Sequence, residues 1–197
     1  SFNKGASWLR LKGNLPTVPV DDIAIHPREN DLILGTHGRS IWILDDITPL
    51  EQLTDSAVSQ DLFLFDMRAA TMYRIYRHKG SNGHNYFLGP NPPNGAMIHY
   101  YLKSEAKEAV AVSILDKNGK PVRDLEGPKD AGINRVVWDC RYNPVGEPDE
   151  SGQPSGAAGP RVLPGDYTVK ITLDSQSQTK SVRVGDDPRI TISSADR

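Results

Sequence analysis

His37 and Arg39 are the side chains whose types and spacing best fit contact with a ligand. They flank Gly38, in a short polar segment that is typical of a tight turn. An arginine presents a planar fork of donors that matches carboxylates and sugar hydroxyls, and a histidine exchanges a proton near neutral pH. The pair therefore predicts a ligand-binding turn. The simpler interpretation is that His37 only occupies the turn, while Arg39 pairs with an acidic residue such as Asp31.

Two pairs of adjacent aspartates, Asp21-Asp22 and Asp45-Asp46, are the candidates for acid-base chemistry. Glycoside hydrolases place two carboxyl groups on either side of the bond that they cleave. Adjacent residues of a strand point to opposite faces, so Asp45 and Asp46 cannot both face one sugar, and we interpret them as structural caps. Asp21-Asp22 lies nearer the candidate turn, but no carboxylate partner at the required separation can be named for it. A structural role is the simpler interpretation there too.

The remaining titratable residues show no pattern of a metal site or a nucleophile. The single cysteine, Cys140, excludes an internal disulfide and a zinc site built from cysteines. The sequence contains no glycine-rich phosphate loop and no serine nucleophile elbow. We therefore expect no metal, no cofactor and no catalytic residue in this chain. The other histidines are interpreted as strand-end, loop or surface residues: His26, His78, His84 and His99.

The composition is that of an ordinary globular protein. Hydrophobic residues make up 37% of the 197 positions, charged residues make up 24%, and the formal net charge is -2. This balance gives no electrostatic reason to bind nucleic acid or an anionic membrane. No apolar run approaches the length of a membrane span. We expect neither a nucleic-acid partner nor a membrane span.

The candidate turn joins two short apolar runs, residues 32–34 and 41–44, which predict the two strands of a hairpin. Residues 20–26 alternate enough to form a further strand, which Pro27 ends. Because a single hairpin is marginal in water, these strands must belong to a larger sheet. Residues 61–65 predict a strand that is either the outer strand of this sheet or the exit from it.

Residues 77–94 are rich in Gly, Asn and Pro and predict a linker. Short strand patterns recur at even spacing beyond it, and Asn118-Gly119 predicts a tight hairpin turn. This spacing is typical of a β-sandwich of the immunoglobulin type, in which we expect Trp138 and Tyr167 to be core residues. The expected strands are residues 96–102, 109–115, 122–125, 134–140, 166–173 and 180–184.

The first eight residues, SFNKGASW, resemble the Asp-box of the neuraminidase-type (BNR) repeats. These repeats occur in sialidases, in xyloglucanase-type glycoside hydrolases and in sortilin-like propellers. The resemblance assigns structural positions of the motif to Ser1, Asn3, Gly5 and Trp8. Asn3 stands where the family usually has aspartate, which keeps the acceptor oxygen but removes the charge. The resemblance also implies that residues 8–11 are the outer strand of one propeller blade.

Two longer stretches resemble known domains. The stretch LPTVPVDDIAIHPRENDLILGTHGRSIWILDDITPL is similar to the last blade of sortilin-like propellers that are often called glycosyl hydrolases. The order GKPVRDL, GINRVVWDCR, LPGDYTVKI resembles the immunoglobulin-like domain of the flagellar-hook capping protein. The resemblance implies an all-β fold. Its parts would be the last blade or blades of a β-propeller at 1–76, a linker at 77–94, an immunoglobulin-like β-sandwich at 95–187 and the start of a C-terminal extension at 188–197.

Three functions fit this architecture. The first is a binding and assembly module that is completed by the remaining blades of a parent protein or by another polypeptide. The second is part of a sialidase-like or xyloglucanase-like glycoside hydrolase whose catalytic carboxylates lie mostly outside this chain, with His37 and Arg39 contacting carbohydrate. The third is a sortilin-like receptor for an extended peptide. The sequence starts inside a turn motif and stops at a helix start, so we expect a longer parent that is secreted, periplasmic or at the bacterial cell surface.

Overall fold

A computed structural model describes residues 1, 4–8, 10–11, 13–74, 85, 89–144, 146 and 158–191. Within these residues the chain forms eleven strands in three sheets and two short helices, so the predicted all-β class is confirmed. The chain divides into two compact units, Ser1–Val58 and Ser59–Arg197, which we call the N-terminal and C-terminal units.

The N-terminal unit contains one antiparallel sheet of three strands in chain order: β1 (Val20–Ile25), β2 (Leu32–Thr36) and β3 (Ile41–Leu44). The register places Leu34 of β2 opposite Ile23 of β1 and opposite Trp42 of β3. Both strands of the predicted hairpin and the preceding strand are therefore confirmed. Gly38 in the connecting turn has a φ of +73°, the conformation for which glycine is suited.

Hydrogen bonds join the β1–β2 turn to the segment that follows β3. A side-chain oxygen of Asp31 accepts a bond from the Asp46 amide at 2.9 Å, and the Asn30 side chain donates to the Thr48 hydroxyl at 3.1 Å. Two short helices follow, α1 (Thr48–Glu51) and α2 (Asp55–Ser59), and α2 contains the division between the units. The end of the sheet opposite the β2–β3 turn is thereby fixed by one bond from a backbone amide to a side chain and one bond between side chains.

The C-terminal unit contains two sheets. The five-stranded sheet has the order β5-β11-β10-β7-β8, in which only the β5–β11 pair is parallel, and the three-stranded sheet has the order β4-β6-β9. The strands are β4 (Leu62–Leu64), β5 (Ala70–Met72), β6 (Ala96–Leu102), β7 (Val110–Leu115), β8 (Pro121–Gly127), β9 (Gly132–Trp138), β10 (Gly165–Leu173) and β11 (Gln176–Asp186).

The core of this unit is formed by the alternating apolar residues of both sheets. Trp138 at the end of β9 and Tyr167 of β10 are both buried, and their rings meet edge to face with centroids 5.2 Å apart. The prediction that both are core residues is confirmed, and the immunoglobulin-type sandwich stays a prediction. The expected strands between residues 96 and 184 are also confirmed, with ends that differ by a few residues.

The division between the units lies earlier in the chain than the expected linker at 77–94, most of which is outside the described residues. The reason is strand pairing. β4, which we placed in the propeller region, pairs with β6, and β5 pairs with β11. Residues 61–65 therefore contribute to the C-terminal unit and not to the β1–β3 sheet. Residues 192–197 of the expected extension lie outside the described residues.

Residues 8–11, which the Asp-box resemblance assigns to an outer strand, differ from that assignment in the structure. Of these four residues Leu9 is not described, and Trp8, Arg10 and Leu11 belong to no strand. A strand requires a neighbour that receives its backbone hydrogen bonds. None of the three described residues takes part in a pairing with β1, β2 or β3.

Candidate functional site

The turn between β2 and β3 presents both predicted ligand-binding residues to solvent. The Thr36 amide and hydroxyl both donate to the Ser40 carbonyl, at 3.2 Å and 2.6 Å, and close the turn around Gly38. His37 and Arg39 are exposed on either side of this glycine. The structure thus places the two side chains on the same turn, as their spacing predicts, and their role in binding stays a prediction.

His37 is held by two contacts, one with Pro19 just before β1 and one with Asp21 within β1. Its amide donates to the Pro19 carbonyl at 3.0 Å, and its Nδ1 lies 3.2 Å from a side-chain oxygen of Asp21. The His37 side chain is 79% exposed and that of Asp21 is 60% exposed, so solvent screens this pair strongly. When the ring hydrogen is on Nδ1, Asp21 accepts it and Nε2 keeps a lone pair for a ligand. Asp21 is a functional candidate that the sequence analysis assigned only a structural role.

Arg39 does not pair with Asp31 in the way that the simpler interpretation suggested. The two residues lie at opposite ends of β2, and Asp31 instead accepts the backbone bond from Asp46. The Arg39 carbonyl accepts a hydrogen bond from the Trp42 indole at 3.0 Å, which fixes the backbone of the turn relative to β3. The exposed guanidinium is therefore carried on an ordered turn.

One aspartate of each candidate pair, Asp22 and Asp46, bonds to the backbone. A carboxylate oxygen of Asp22 accepts a bond from the amide of Ile23 at 2.9 Å. A carboxylate oxygen of Asp46 accepts a bond from the Thr48 amide at 3.2 Å, at the start of α1. Asp46 is buried and has a φ of +53°. These bonds support the structural interpretation of both residues.

Part of the Asp-box stretch is described. The Ser1 hydroxyl accepts a bond from the Gly5 amide at 2.7 Å, and Gly5 has a φ of +90°. The Trp8 side chain, to which the resemblance assigns a structural position of the motif, is 77% exposed. The assignment of Asn3 lies outside the described residues. A hydrogen bond therefore joins Ser1 and Gly5, and the structural role of Asn3 stays a prediction.

Both faces of the β1–β3 sheet are apolar, a feature that the sequence analysis missed. The register divides the apolar side chains into two sets. The Leu34 face consists of Ile23, Ile25, Leu32, Leu34, Trp42 and Leu44, and the Ile33 face consists of Ala24, Ile33, Ile41 and Ile43. The signal is visible in the sequence, because β2 and β3 are nearly continuous apolar runs and not alternating ones.

The exposure of these faces is high on both sides. Ile23 on the Leu34 face is 64% exposed, and Ile41 on the Ile33 face is 67% exposed. A soluble sheet with one buried face usually alternates apolar and polar residues. The β1–β3 sheet instead offers two apolar surfaces, one on each side.

The C-terminal unit carries a bidentate ion pair between Asp187 and Arg189. The guanidinium donates to the two carboxylate oxygens at 2.8 Å and 2.6 Å, and the Arg74 amide donates to the same carboxylate at 2.9 Å. These bonds hold the pKa of Asp187 well below its usual range. Arg189 also donates to the Arg74 carbonyl at 3.2 Å. The cluster therefore ties the end of β11 to the segment after β5.

Cys140 is the only thiol of the chain and is buried behind β9. Burial raises its pKa to about 11, so the neutral thiol predominates at physiological pH. The described residues contain no group of three or more His, Cys, Asp or Glu side chains arranged to hold a metal ion. Cys140 is accordingly a packing residue, as expected for a small apolar side chain in a core.

No protein-family model matches the chain, and no curated protein matches it significantly. None of the helices in the described residues has the length and hydropathy needed to cross a lipid bilayer. The resemblance to sortilin-like propellers therefore rests on the sequence motifs, and the function has to be inferred from the geometry of the sheets and the exposed turn.

Proposed function

We propose that the chain is part of a sortilin-like β-propeller protein with neuraminidase-type repeats and acts as a binding and assembly module. In this proposal β1–β3 belong to a propeller blade, and the C-terminal unit is an immunoglobulin-like accessory domain. The observation that carries the proposal is the β1–β3 sheet with two exposed apolar faces. The partners are the remaining blades, in the same polypeptide or in another one.

The free energy of covering these faces is large for so small a sheet. Complete burial of an isoleucine side chain contributes about 1.5–3 kcal/mol. The four isoleucines of β1 and β3 are each more than half exposed, so covering them contributes roughly 4–7 kcal/mol. That is comparable to the total stability of a small domain, which is about 5–15 kcal/mol. Apolar layers on both sides are therefore the most favourable environment for this sheet.

A propeller supplies that environment, because its blades are sheets repeated around an axis and each blade packs between two others. A sandwich would cover only one face of each sheet. The two-sided apolar pattern supports the blade interpretation over a sandwich for the N-terminal unit.

Two observations support an immunoglobulin-like assignment for the C-terminal unit. Its two sheets face each other over one core, with three strands in one and five in the other. The Tyr167 hydroxyl donates to the Leu163 carbonyl, four residues upstream, at 2.7 Å. A tyrosine that bonds back to the preceding backbone near the start of a strand is a hallmark of immunoglobulin-like sandwiches.

Binding of a carbohydrate or a peptide at the β2–β3 turn is the second candidate function. It is favoured by the exposed Arg39 guanidinium beside an imidazole that Asp21 orients. The guanidinium suits a carboxylate or sugar hydroxyls. Titration of the protein with sialic acid, a neutral oligosaccharide and an unstructured peptide tests this function. Arg39→Ala should weaken any binding at least about tenfold, the usual effect of removing a charge-assisted bond, and unchanged affinity would exclude Arg39 from the site.

The assembly proposal is tested on the protein purified from its natural source. We expect its intact mass to exceed 21.7 kDa, or a second polypeptide to remain bound through size exclusion. Ile23→Lys and Ile43→Lys place a charge on opposite faces, and each should abolish the assembly. Thr179→Lys, on an exposed position of the five-stranded sheet, is the matched control and should have no effect. A stable natural monomer of the present length without a companion would contradict the proposal.

A further inference from the structure

We propose that β3 is also a self-association edge, which pairs antiparallel with β3 of a second copy of this chain about a two-fold axis at Trp42. This inference concerns the edge of the β1–β3 sheet and not its two faces. It goes beyond the assembly role proposed above and concerns the chain of the present length, in which no described strand pairs with the outer edge of β3. A propeller blade has four strands, so in a complete blade a fourth strand would take this edge.

The outer edge of β3 presents backbone groups of Ile41 and Ile43. The Thr36 amide donates to the Ser40 carbonyl, so Thr36 and Ser40 are a hydrogen-bonded pair of the β2–β3 ladder. Hydrogen-bonded and non-bonded pairs alternate along an antiparallel ladder, so Trp42 and Leu44 also bond towards β2. The N–H and C=O groups of Ile41 and Ile43 therefore point away from β2.

The other edge of the same sheet is blocked. The pairing of β1 with β2 shifts register between Val20 and Asp22, which is a bulge. The His26 amide donates to the Asp31 carbonyl, so these two residues are a hydrogen-bonded pair of the β1–β2 ladder. Bonded and non-bonded pairs alternate along this ladder too, so Ile23 is in a non-bonded pair and its amide points away from β2. The side chain of Asp22 accepts a bond from that amide at 2.9 Å. A bulge and edge carboxylates are the devices by which proteins prevent edge pairing.

Two edges in the C-terminal unit, those of β8 and β4, are covered as well. At β8, the Asn143 amide donates to the Val122 carbonyl and its side-chain oxygen accepts from the Asp124 amide, both at 3.0 Å. At β4, the Gln178 side chain bonds to the Leu62 carbonyl and the Leu64 amide, at 2.7 Å and 2.8 Å. β3 has no bulge, no proline and no charged residue within its four positions.

The β3 edge is complementary to itself. Placing Trp42 of one copy opposite Trp42 of the other brings Ile41 opposite Ile43, and their outward groups can form four hydrogen bonds. The two Trp42 residues then form a non-hydrogen-bonded pair, in which the side chains of facing residues lie closest together. An aromatic pair at such a position stabilises the sheet. The same register brings Arg39 of one copy near Asp45 of the other.

The test is the molar mass of the chain by light scattering, from about 1 μM to about 1 mM, the range in which a short edge contact is expected to associate. We expect the mass to rise from 21.7 kDa towards twice that value. Ile43→Pro removes an outward N–H of β3 and should weaken the dimer at least about tenfold. Ile25→Pro removes an outward N–H of β1 and is the matched control, which should dimerise like the wild type.

A charge variant keeps the proposal testable if a proline disturbs the sheet. Arg39→Glu should weaken the dimer, and Arg39→Glu combined with Asp45→Arg should restore it. The far-ultraviolet circular dichroism of the dimer should show an exciton couplet from the paired Trp42 rings, which Trp42→Phe removes. A monomer at about 1 mM, a dimer unaffected by Ile43→Pro, or larger oligomers that depend on Ile23 would each overturn the proposal. Loss of dimerisation alone would leave the assembly proposal intact, because that proposal rests on the faces.

Discussion

Tyr167 shows how one polar atom can fix the geometry of a core. Its ring packs edge to face on Trp138, while its hydroxyl donates to the Leu163 carbonyl at 2.7 Å. The bond closes the Pro164-Gly165 turn before β10 and satisfies a polar group that burial would otherwise leave without water. The residue therefore positions the start of a central strand as well as filling space.

Tyr167→Phe keeps the ring and removes this bond. We expect the free energy of unfolding to fall by about 1 kcal/mol, the usual contribution of one buried hydrogen bond. Urea unfolding followed by tryptophan fluorescence measures it. Tyr101→Phe, at a half-buried position of β6, serves as the control and should change the midpoint little. Equal effects of the two substitutions would show that the Leu163 bond has no special role.

The bonds around Asp187 give the C-terminal unit a pH-dependent component of stability. Its pKa is held below the usual range by the guanidinium of Arg189 and by the backbone amides of Arg74 and Arg189. A carboxyl group whose pKa is lower in the folded than in the unfolded state stabilises the fold above its unfolded pKa of about 3.9. That stabilisation is lost as the pH falls below this value.

Asp187→Asn should therefore lower the melting temperature at pH 7, and the difference from the wild type should shrink as the pH falls below about 4. Thermal unfolding followed by circular dichroism at several pH values measures both quantities. Asp174→Asn is the matched control, because Asp174 is exposed in the β10–β11 turn and asparagine tolerates its φ of +50°. A difference that stays constant with pH would contradict the role of the ionised carboxylate.

At the scale of elements, β4 is held in place by a side chain that replaces a strand. β4 has three residues and pairs with β6 on one side only. On its other side the Gln178 amide donates to the Leu62 carbonyl and accepts from the Leu64 amide, as a neighbouring peptide group would. A residue of β11 in one sheet thereby closes the edge of a strand in the other sheet.

Gln178→Leu should leave the Leu62 carbonyl and the Leu64 amide without these partners. The expected cost is about 1–3 kcal/mol, the penalty for unsatisfied buried polar groups. Gln176→Leu, at the exposed start of β11, is the control and should change the stability little. Amide exchange of Leu64 should accelerate in the Gln178 variant and not in the control. Slow exchange of Leu64 in both variants would show that another group protects this edge.

The strands that the sequence predicted well have a local signal. β2, β3 and β6 to β11 are apolar or alternating runs next to turn residues such as Gly38 and Asn118-Gly119, and Gly119 indeed has a φ of +77°. The partners of β4 and β5 could not be predicted, because each has only three residues and pairs with a strand that is distant in the chain. The two strands belong to the C-terminal unit because they pair with distant strands of that unit. The position of the boundary between the units depends on this pairing.

The geometry of the candidate site was likewise predictable only where it depends on residues close together in the sequence. The spacing of His37 and Arg39 around a glycine predicted that both lie on one turn, because turn geometry is local. The contact with Asp21 joins residues 16 positions apart across two strands, and it follows only from the register of β1 on β2. The Leu34 face and the Ile33 face could not be predicted without the register either, because a run of apolar residues does not show which of them share a side of the sheet.

At the scale of the whole molecule, the two units differ in how complete their strand pairing and burial are. The C-terminal unit has two sheets that enclose a common core, and all of its strand pairs lie within residues 59–197. The N-terminal unit has three strands, and the isoleucines of β1 and β3 are exposed on both faces of their sheet. A three-stranded sheet needs at least one covered apolar face for independent stability.

Separate production of the two units tests this difference. Residues 59–197 should unfold cooperatively and give a dispersed amide NMR spectrum, because their core and strand pairs are internal. Residues 1–58 should be unfolded or aggregated at the same temperature, because their apolar faces have no partner. Ile23→Lys combined with Ile43→Lys should make residues 1–58 soluble without making them fold, which separates lack of stability from aggregation. A folded, monomeric fragment of residues 1–58 would show that the sheet is stable without layers on its faces, and the assembly role proposed for it would then lose its physical basis.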